Sequence, residues 1–294
     1  MHFPPYMLIP LACGLFYVLG MLTLKRASEL GVGVWRVTFF ANWACALMFL
    51  PWWFRNGLAP VDWTLYWQPA ASGLLFLVAQ VVMFLAITRG DVSVAAPVMG
   101  LKVILVALLS SVLLVGDIPL QWWIGAGLST AAVGLLNLGG GARHRRVGQT
   151  ILLTSLSAVL YALSDVLIAR WAPVWGRGNY FPPLFLAVGL YSFVLLRFAK
   201  GPLFAVTKQA WRWVLPGAGF NALTNGGIAF TLGTWGNATA VNIVYSSRGL
   251  FSVLLVWLAG HWFSSTEGQV GRAVLVYRMI GAAAMVAAIG LVLI

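Results

Sequence analysis

Apolar runs of about twenty residues recur along the whole chain, and the links between them are short. A helix rises about 1.5 Å per residue, so about 20 residues cross the roughly 30 Å of hydrocarbon in a bilayer. There, every backbone N–H and C=O needs an internal partner, which an α-helix supplies within itself. The runs therefore predict ten transmembrane helices. The first half gives 5–24, 34–54, 66–88, 92–115 and 119–139; the second gives 148–170, 181–199, 212–233, 238–260 and 273–294. No link is long enough for a soluble domain. The chain is 61% hydrophobic and 8% charged, against about 25% charged in an ordinary soluble domain. The expected class is an all-α integral membrane protein.

The first run has no basic leader and no small-residue cleavage pattern, so it reads as a retained span and not as a signal peptide. Cys13 and Cys45 lie inside apolar runs and read as small buried hydrophobes. The net charge of +12 fits the Lys and Arg enrichment of cytoplasmic loops. Nothing resembles a nucleic-acid-binding signature, so no nucleic-acid partner is expected. His2, His144 and His261 sit at ends or in loops, and no cluster has metal-ligand spacing. No phosphate-cradling glycine loop appears either. The expectation is no enzyme, no metal and no cofactor, with proton coupling as the one addition left open.

Ten spans divided by the basic link at 141–149 invite a search for a repeat. Residues 90–109 lie on 236–255 without a gap, setting Gly90 on Gly236 and Lys102 on Arg248. Residues 13–27 lie on 157–171, setting Tyr17 on Tyr161 and Arg26 on Arg170. Residues 122–136 lie on 278–292, setting Gly125 on Gly281 and Gly134 on Gly290. Three matches in the same order predict one repeat over 1–140 and another over 150–294. An odd number of spans in each half makes the halves inverted in the membrane, a signature of secondary transporters.

Few charges remain inside the spans. Lys102 stands about ten residues into the fourth, near the midplane, and Arg248 at the equivalent depth of the ninth. Asp165 is the acid within the sixth. A charge at the bilayer centre costs about 2.5–3.5 kcal/mol or more, so each needs a reason. Snorkelling is one, although the stem from the midplane is short. A structural ion pair of Lys102 with Asp165 is another. A substrate pathway is the third, and it is compatible with the pair if a substrate anion displaces the internal partner. Two cations facing one cavity would hold a carboxylate or phosphate, which Arg can grip bidentately.

Uncharged polar residues point the same way. Ser157, Tyr161, Ser164 and Asp165 share one face of the sixth span, and Asn221, Thr224 and Asn225 share one of the eighth. Gln80 lies in the third, Asn242 and Tyr245 approach Arg248 on the ninth, and Tyr17 is the counterpart of Tyr161. Ordinary interhelical hydrogen bonding explains any one of them equally well. The Gly-rich fifth and tenth spans read as packing helices.

Basic loop residues collect on one face, from Lys25 and Arg26 through Arg89, Arg143, Arg145 and Arg146 to Arg272. The other face has little beyond Arg55, Arg170 and Arg177. The positive-inside rule then makes the 139–149 loop cytoplasmic and both termini external.

Residues 86–138 resemble the end of an EamA-type repeat of the drug/metabolite transporter superfamily. The resemblance rests on Ala95-Ala96-Pro97, Gly116-Asp117 and Gln121-Trp122-Trp123-Ile124-Gly125, with Arg36 resembling the arginine that opens the family's second span. It implies two inverted five-helix repeats around a central cavity, and alternating-access transport of metabolites across a bacterial inner membrane. Asp117 replaces the usual Glu, and Lys102 replaces a usually uncharged residue. The external termini also depart from the family's usual orientation. The expected function is a monomeric exporter or exchanger of amino acids or other solutes bearing an anionic group. The rivals are an exporter of lipophilic cations and a membrane scaffold.

Overall fold

The computed structural model describes residues 4–56, 61–89, 92–114, 117–136, 147–176, 178–199, 201–259 and 272–293. Among them the regular structure is helical, with no strand. In chain order the helices are α1 (Leu8–Glu29), α2 (Val34–Asn56), α3 (Trp67–Arg89), α4 (Val92–Met99), α5 (Leu101–Leu113) and α6 (Leu120–Leu136). There follow α7 (Val147–Trp171), α8 (Phe181–Tyr191), α9 (Lys208–Trp235), α10 (Ala238–Tyr245), α11 (Arg248–Ala259) and α12 (Arg272–Leu293). Eight stretches of the described residues are long and apolar enough to cross a membrane, and Leu120–Leu136 is a shorter apolar helix. The chain reads as a multi-pass membrane protein.

Several boundaries differ from the hydropathy ruler, for local reasons. α1 runs past residue 24 to Glu29, because backbone bonding continues beyond the apolar run and an Arg26–Glu29 ion pair at 2.6 Å braces its last turn. α9 starts at Lys208 rather than 212, because Thr207 Oγ1 accepts from the Ala210 N–H at 3.2 Å. It ends where Gly236 turns left-handed at φ 73°. At 28 residues α9 is long enough to span, but Lys208, Arg212, Asn221 and Asn225 dilute its apolar character. The run at 181–199 is not one α-helix: it tightens into a 3-10 segment over Ser192–Phe198. The 139–149 link lies mostly outside the described residues.

The expected fourth and ninth spans are each interrupted by a short tightened turn, a kink in the helical bonding. Between α4 and α5 the chain passes through Gly100 with i→i+3 bonds, Gly100 N–H to Pro97 C=O at 3.0 Å and Val103 N–H to Gly100 C=O at 3.2 Å. A Cβ on Gly100 would sit 2.9 Å from Pro97 O and 3.0 Å from Val133. Between α10 and α11 the tightening falls at Ser246-Ser247, where the Ser247 N–H reaches Val244 C=O at 3.1 Å. Short 3-10 stretches inside a helix commonly mark hinges. One helix holds both kinks: Thr130 of α6 donates to the Gly100 carbonyl at 3.1 Å, and the adjacent Ser129 hydroxyl bonds that of Ser246.

The main packing pairs are α1 with α9, α6 with α12, α3 with α7, and α2 with both α9 and α8; α5 also packs on α7, and α10 and α11 on α1. The Gly-rich α6 and α12 thus pack on each other. Arg36 holds the α1–α2 turn to the segment before α9, donating to the carbonyls of Gly31 at 3.0 Å and of Pro202 and Ala205 at 3.2 Å each. α9 approaches its neighbours closely at Gly233, where a Cβ would lie 2.7 Å from Ala172 Cβ and 2.8 Å from Phe181 Cζ. Because the Ala172 Cβ cannot move without its backbone, Gly233→Ala is expected to cost about 1–3 kcal/mol. Thermal unfolding in detergent measures this, and an unchanged midpoint would contradict the packing described.

Candidate functional site

The charged residues singled out in the spans meet at the two kinks. Lys102 is the second residue of α5 and Arg248 the first of α11. Lys102 Nζ lies 2.7 Å from Asp165 Oδ2 on α7. The side-chain amide of Asn242, on α10, donates to the same oxygen at 2.9 Å and to the Ala238 carbonyl at 3.1 Å. All three side chains are buried. The Lys102 ammonium also stands 5.6 Å from the Tyr161 ring centre. The ion-pair alternative for Lys102 is therefore what the geometry contains.

Arg248 is placed differently. Its guanidinium carbon is 4.7 Å from the ring centres of both Tyr17 and Tyr245, and Nη1 donates to the Tyr245 hydroxyl at 3.2 Å. Ring faces attract a cation through their quadrupole but carry no net charge. Among the described residues, no carboxylate forms an ion pair with Arg248. In the alignment of 13–27 with 157–171, Asp165 falls opposite Met21. The Tyr17–Arg248 and Tyr161–Lys102 contacts are thus counterparts, and the carboxylate is present on one side only.

One cavity of about 190 Å³ gathers nine of the ten expected residues: Tyr17, Gln80, Lys102, Tyr161, Asp165, Asn221, Asn225, Tyr245 and Arg248. Asn242 is the exception. It does not line this cavity and instead holds Asp165 from behind, where sequence spacing placed it on the substrate side. Two other polar residues on the predicted faces also point elsewhere. Ser157 donates to the Ala79 carbonyl at 2.9 Å, and Thr224 to the Phe220 and Cys13 carbonyls at 2.9 and 3.3 Å. The bonds to Ala79 and Cys13 join two helices, whereas the bond to Phe220 stays within α9. Ser164 bonds the Ser72 carbonyl yet still reaches the cavity wall.

The amides are braced. Gln80 exchanges two hydrogen bonds with Asn42 of α2, at 3.1 and 3.2 Å, and Asn225 donates to Asn221 at 2.6 Å. Asn42 was not singled out from sequence, although a lone amide in the apolar run FFANWACAL is a signal of the same kind as Gln80. The rest of the wall is apolar, with Phe76, Phe84 and Phe185, Met21, Met83 and Met99, and Leu184 and Val188. Nothing in a hydropathy plot separates these from residues that face lipid.

A second cavity, of about 380 Å³, lies beyond the Lys102–Asp165–Asn242 layer. It is lined by residues about one or two turns further along the same helices, Ser110 on α5 and Ala169 and Arg170 on α7, and by Ala238 and Thr239 on α10. The ion pair and its amide therefore form a layer between two cavities that extend toward opposite ends of the bundle. Among the described residues, no group of His, Cys, Asp or Glu is arranged to hold a metal.

Residues 4–138 match the model of the EamA-like transporter family. A solved crystal structure is similar to this chain over 96% of its length and 95% of the other's, with a TM-score of 0.72 and 18% identity. At that identity the likeness speaks for the fold alone. No curated protein matches the sequence.

Proposed function

We propose that this EamA-like chain is a secondary transporter that moves small organic metabolites bearing an anionic group by alternating access, as an exporter or exchanger. One observation carries the reading: a central cavity holds a guanidinium that no carboxylate of the described residues pairs with. Arg248 takes the anionic group, with Tyr17, Tyr161, Tyr245 and the amides of Gln80, Asn221 and Asn225 around it. Lys102 rests on Asp165 in the layer that closes the cavity on its far side.

The reading of two inverted five-helix repeats has support of the same kind. With α4–α5 and α10–α11 each taken as one kinked span, exchange of the halves maps α1·α9 onto α3·α7 and maps α2·α8 and α6·α12 onto themselves. The kinks at Gly100 and Ser246 are equivalent in the alignment of 90–109 with 236–255. Substrate sites of such folds lie near the midplane where the repeats meet. The loop charges orient the chain with the 139–149 link in the cytoplasm and both termini outside, in a bacterial inner membrane.

Export of lipophilic cations fits poorly, because an unneutralised guanidinium repels such cargo. A scaffold would pack both cations against carboxylates with no cavity between them, and Arg248 departs from that. The reading is tested by flux into proteoliposomes, using amino acids, organic anions and phosphorylated metabolites, for the unaltered protein and for Lys102→Met. At least one solute is expected to accumulate above protein-free vesicles, and more slowly with Lys102→Met. No accumulation across the panel overturns the transport reading. Wild-type rates for Lys102→Met with every accepted solute would remove Lys102 from the pathway.

A further inference from the structure

We infer that the cavity is built for a solute with one negative charge on an apolar body, a small amphipathic monocarboxylate, and discriminates against dianions and zwitterions. The inference rests on the transport reading and narrows it.

Near the bilayer centre any net charge left in the cavity is penalised. Lys102 and Asp165 share a proton-bearing contact at 2.7 Å. Wherever that proton sits, the pair carries no net charge. Arg248 stays protonated at any physiological pH, and its counterpart position to Asp165 is filled by Met21, a thioether. Among the described residues the cavity therefore carries one positive charge, partly masked by the faces of Tyr17 and Tyr245. A monoanion on Arg248 brings the loaded cavity to neutrality. A dianion leaves a negative charge near the bilayer centre, and a zwitterion leaves the positive one unchanged. Uncompensated buried charge is costly in both cases. A substrate ammonium would also compete with Lys102 and Asn242 for Asp165.

The wall supplies the second half of the class. The same cavity is lined by Phe76, Phe84, Phe185, Met83 and Met99, aromatic and adaptable side chains that fit a flat apolar body. A volume of about 190 Å³, at roughly 10–15 Å³ per water-sized occupant, holds on the order of a dozen heavy atoms. That is one ring with a short acidic arm.

The test keeps one body and changes the head. Phenylpyruvate, phenyl phosphate, phenylalanine and phenethylamine are titrated calorimetrically onto the detergent-purified full chain, and each is followed by counterflow in proteoliposomes. Phenylpyruvate is expected to bind about tenfold or more tighter than each of the others, and to be the one exchanged. Equal or tighter binding of phenyl phosphate or phenylalanine overturns the charge rule while leaving transport standing. Tight binding of phenylpyruvate with no counterflow sinks the transport reading and leaves the charge rule in place. If none of the four binds, the inference is wrong.

Discussion

Arg248→Gln is expected to lower affinity for any carried anion by about a hundredfold or more while leaving the fold intact. Each charge-assisted hydrogen bond contributes about 1.5–3 kcal/mol, and a guanidinium can offer two in parallel to one carboxylate. Losing both amounts to at least two decades of affinity at about 1.4 kcal/mol per decade. Glutamine can still donate to the Tyr245 hydroxyl, which Arg248 now does at 3.2 Å, and it leaves no charge buried. The thermal midpoint is therefore expected to change little. Arg248→Lys keeps the charge but loses the planar fork and the stacking on Tyr17 and Tyr245, so an intermediate affinity is expected. Calorimetric titration and counterflow measure the series. Wild-type affinity in Arg248→Gln would place the anion elsewhere.

The second large effect is on stability, at the layer between the cavities. Asp165→Leu strands the Lys102 ammonium in a buried position, and breaking one side of such a pair costs about 3–5 kcal/mol. Lys102→Met is expected to cost less, because Asp165 keeps the Asn242 amide at 2.9 Å. The double variant Lys102→Met/Asp165→Leu removes both charges together and is expected to recover most of the loss. The two side chains touch, so the effects should be strongly non-additive. Unfolding in mixed detergent reads all three. A double variant as unstable as Asp165→Leu alone would mean that something other than the stranded ammonium causes the loss.

The charged members of the site were legible for a simple reason. A lysine, an arginine or a carboxylate in an apolar run is expensive, so each had to meet something, and Lys102, Asp165 and Arg248 do line one cavity. The Lys102–Asp165 pair was one of the readings the sequence offered; that Arg248 would rest on two ring faces instead was not legible. Met21 stands opposite Asp165 in the repeat alignment, so no carboxylate of the described residues meets Arg248 there, and a methionine in an apolar run gives no signal. Asn242 shares a helix with Tyr245, but spacing along a helix does not say on which side of a charged layer a side chain falls. Ser157 and Thr224 were on the predicted faces, yet hydroxyls turn to a neighbouring carbonyl wherever two helices run close. Hydropathy found the runs but not the kinks. Pro97 and Gly100 hint at the first. The second depends on partners distant in sequence, Ser129 and Met285, that meet the Ser246 hydroxyl only once the bundle has formed.

Those partners give α6 a part its composition does not announce. Thr130 grips the carbonyl at one kink and Ser129 the hydroxyl at the other, from neighbouring positions on one rigid rod. An uncharged helix thereby joins the lysine's side of the cavity to the arginine's through two adjacent hydroxyls.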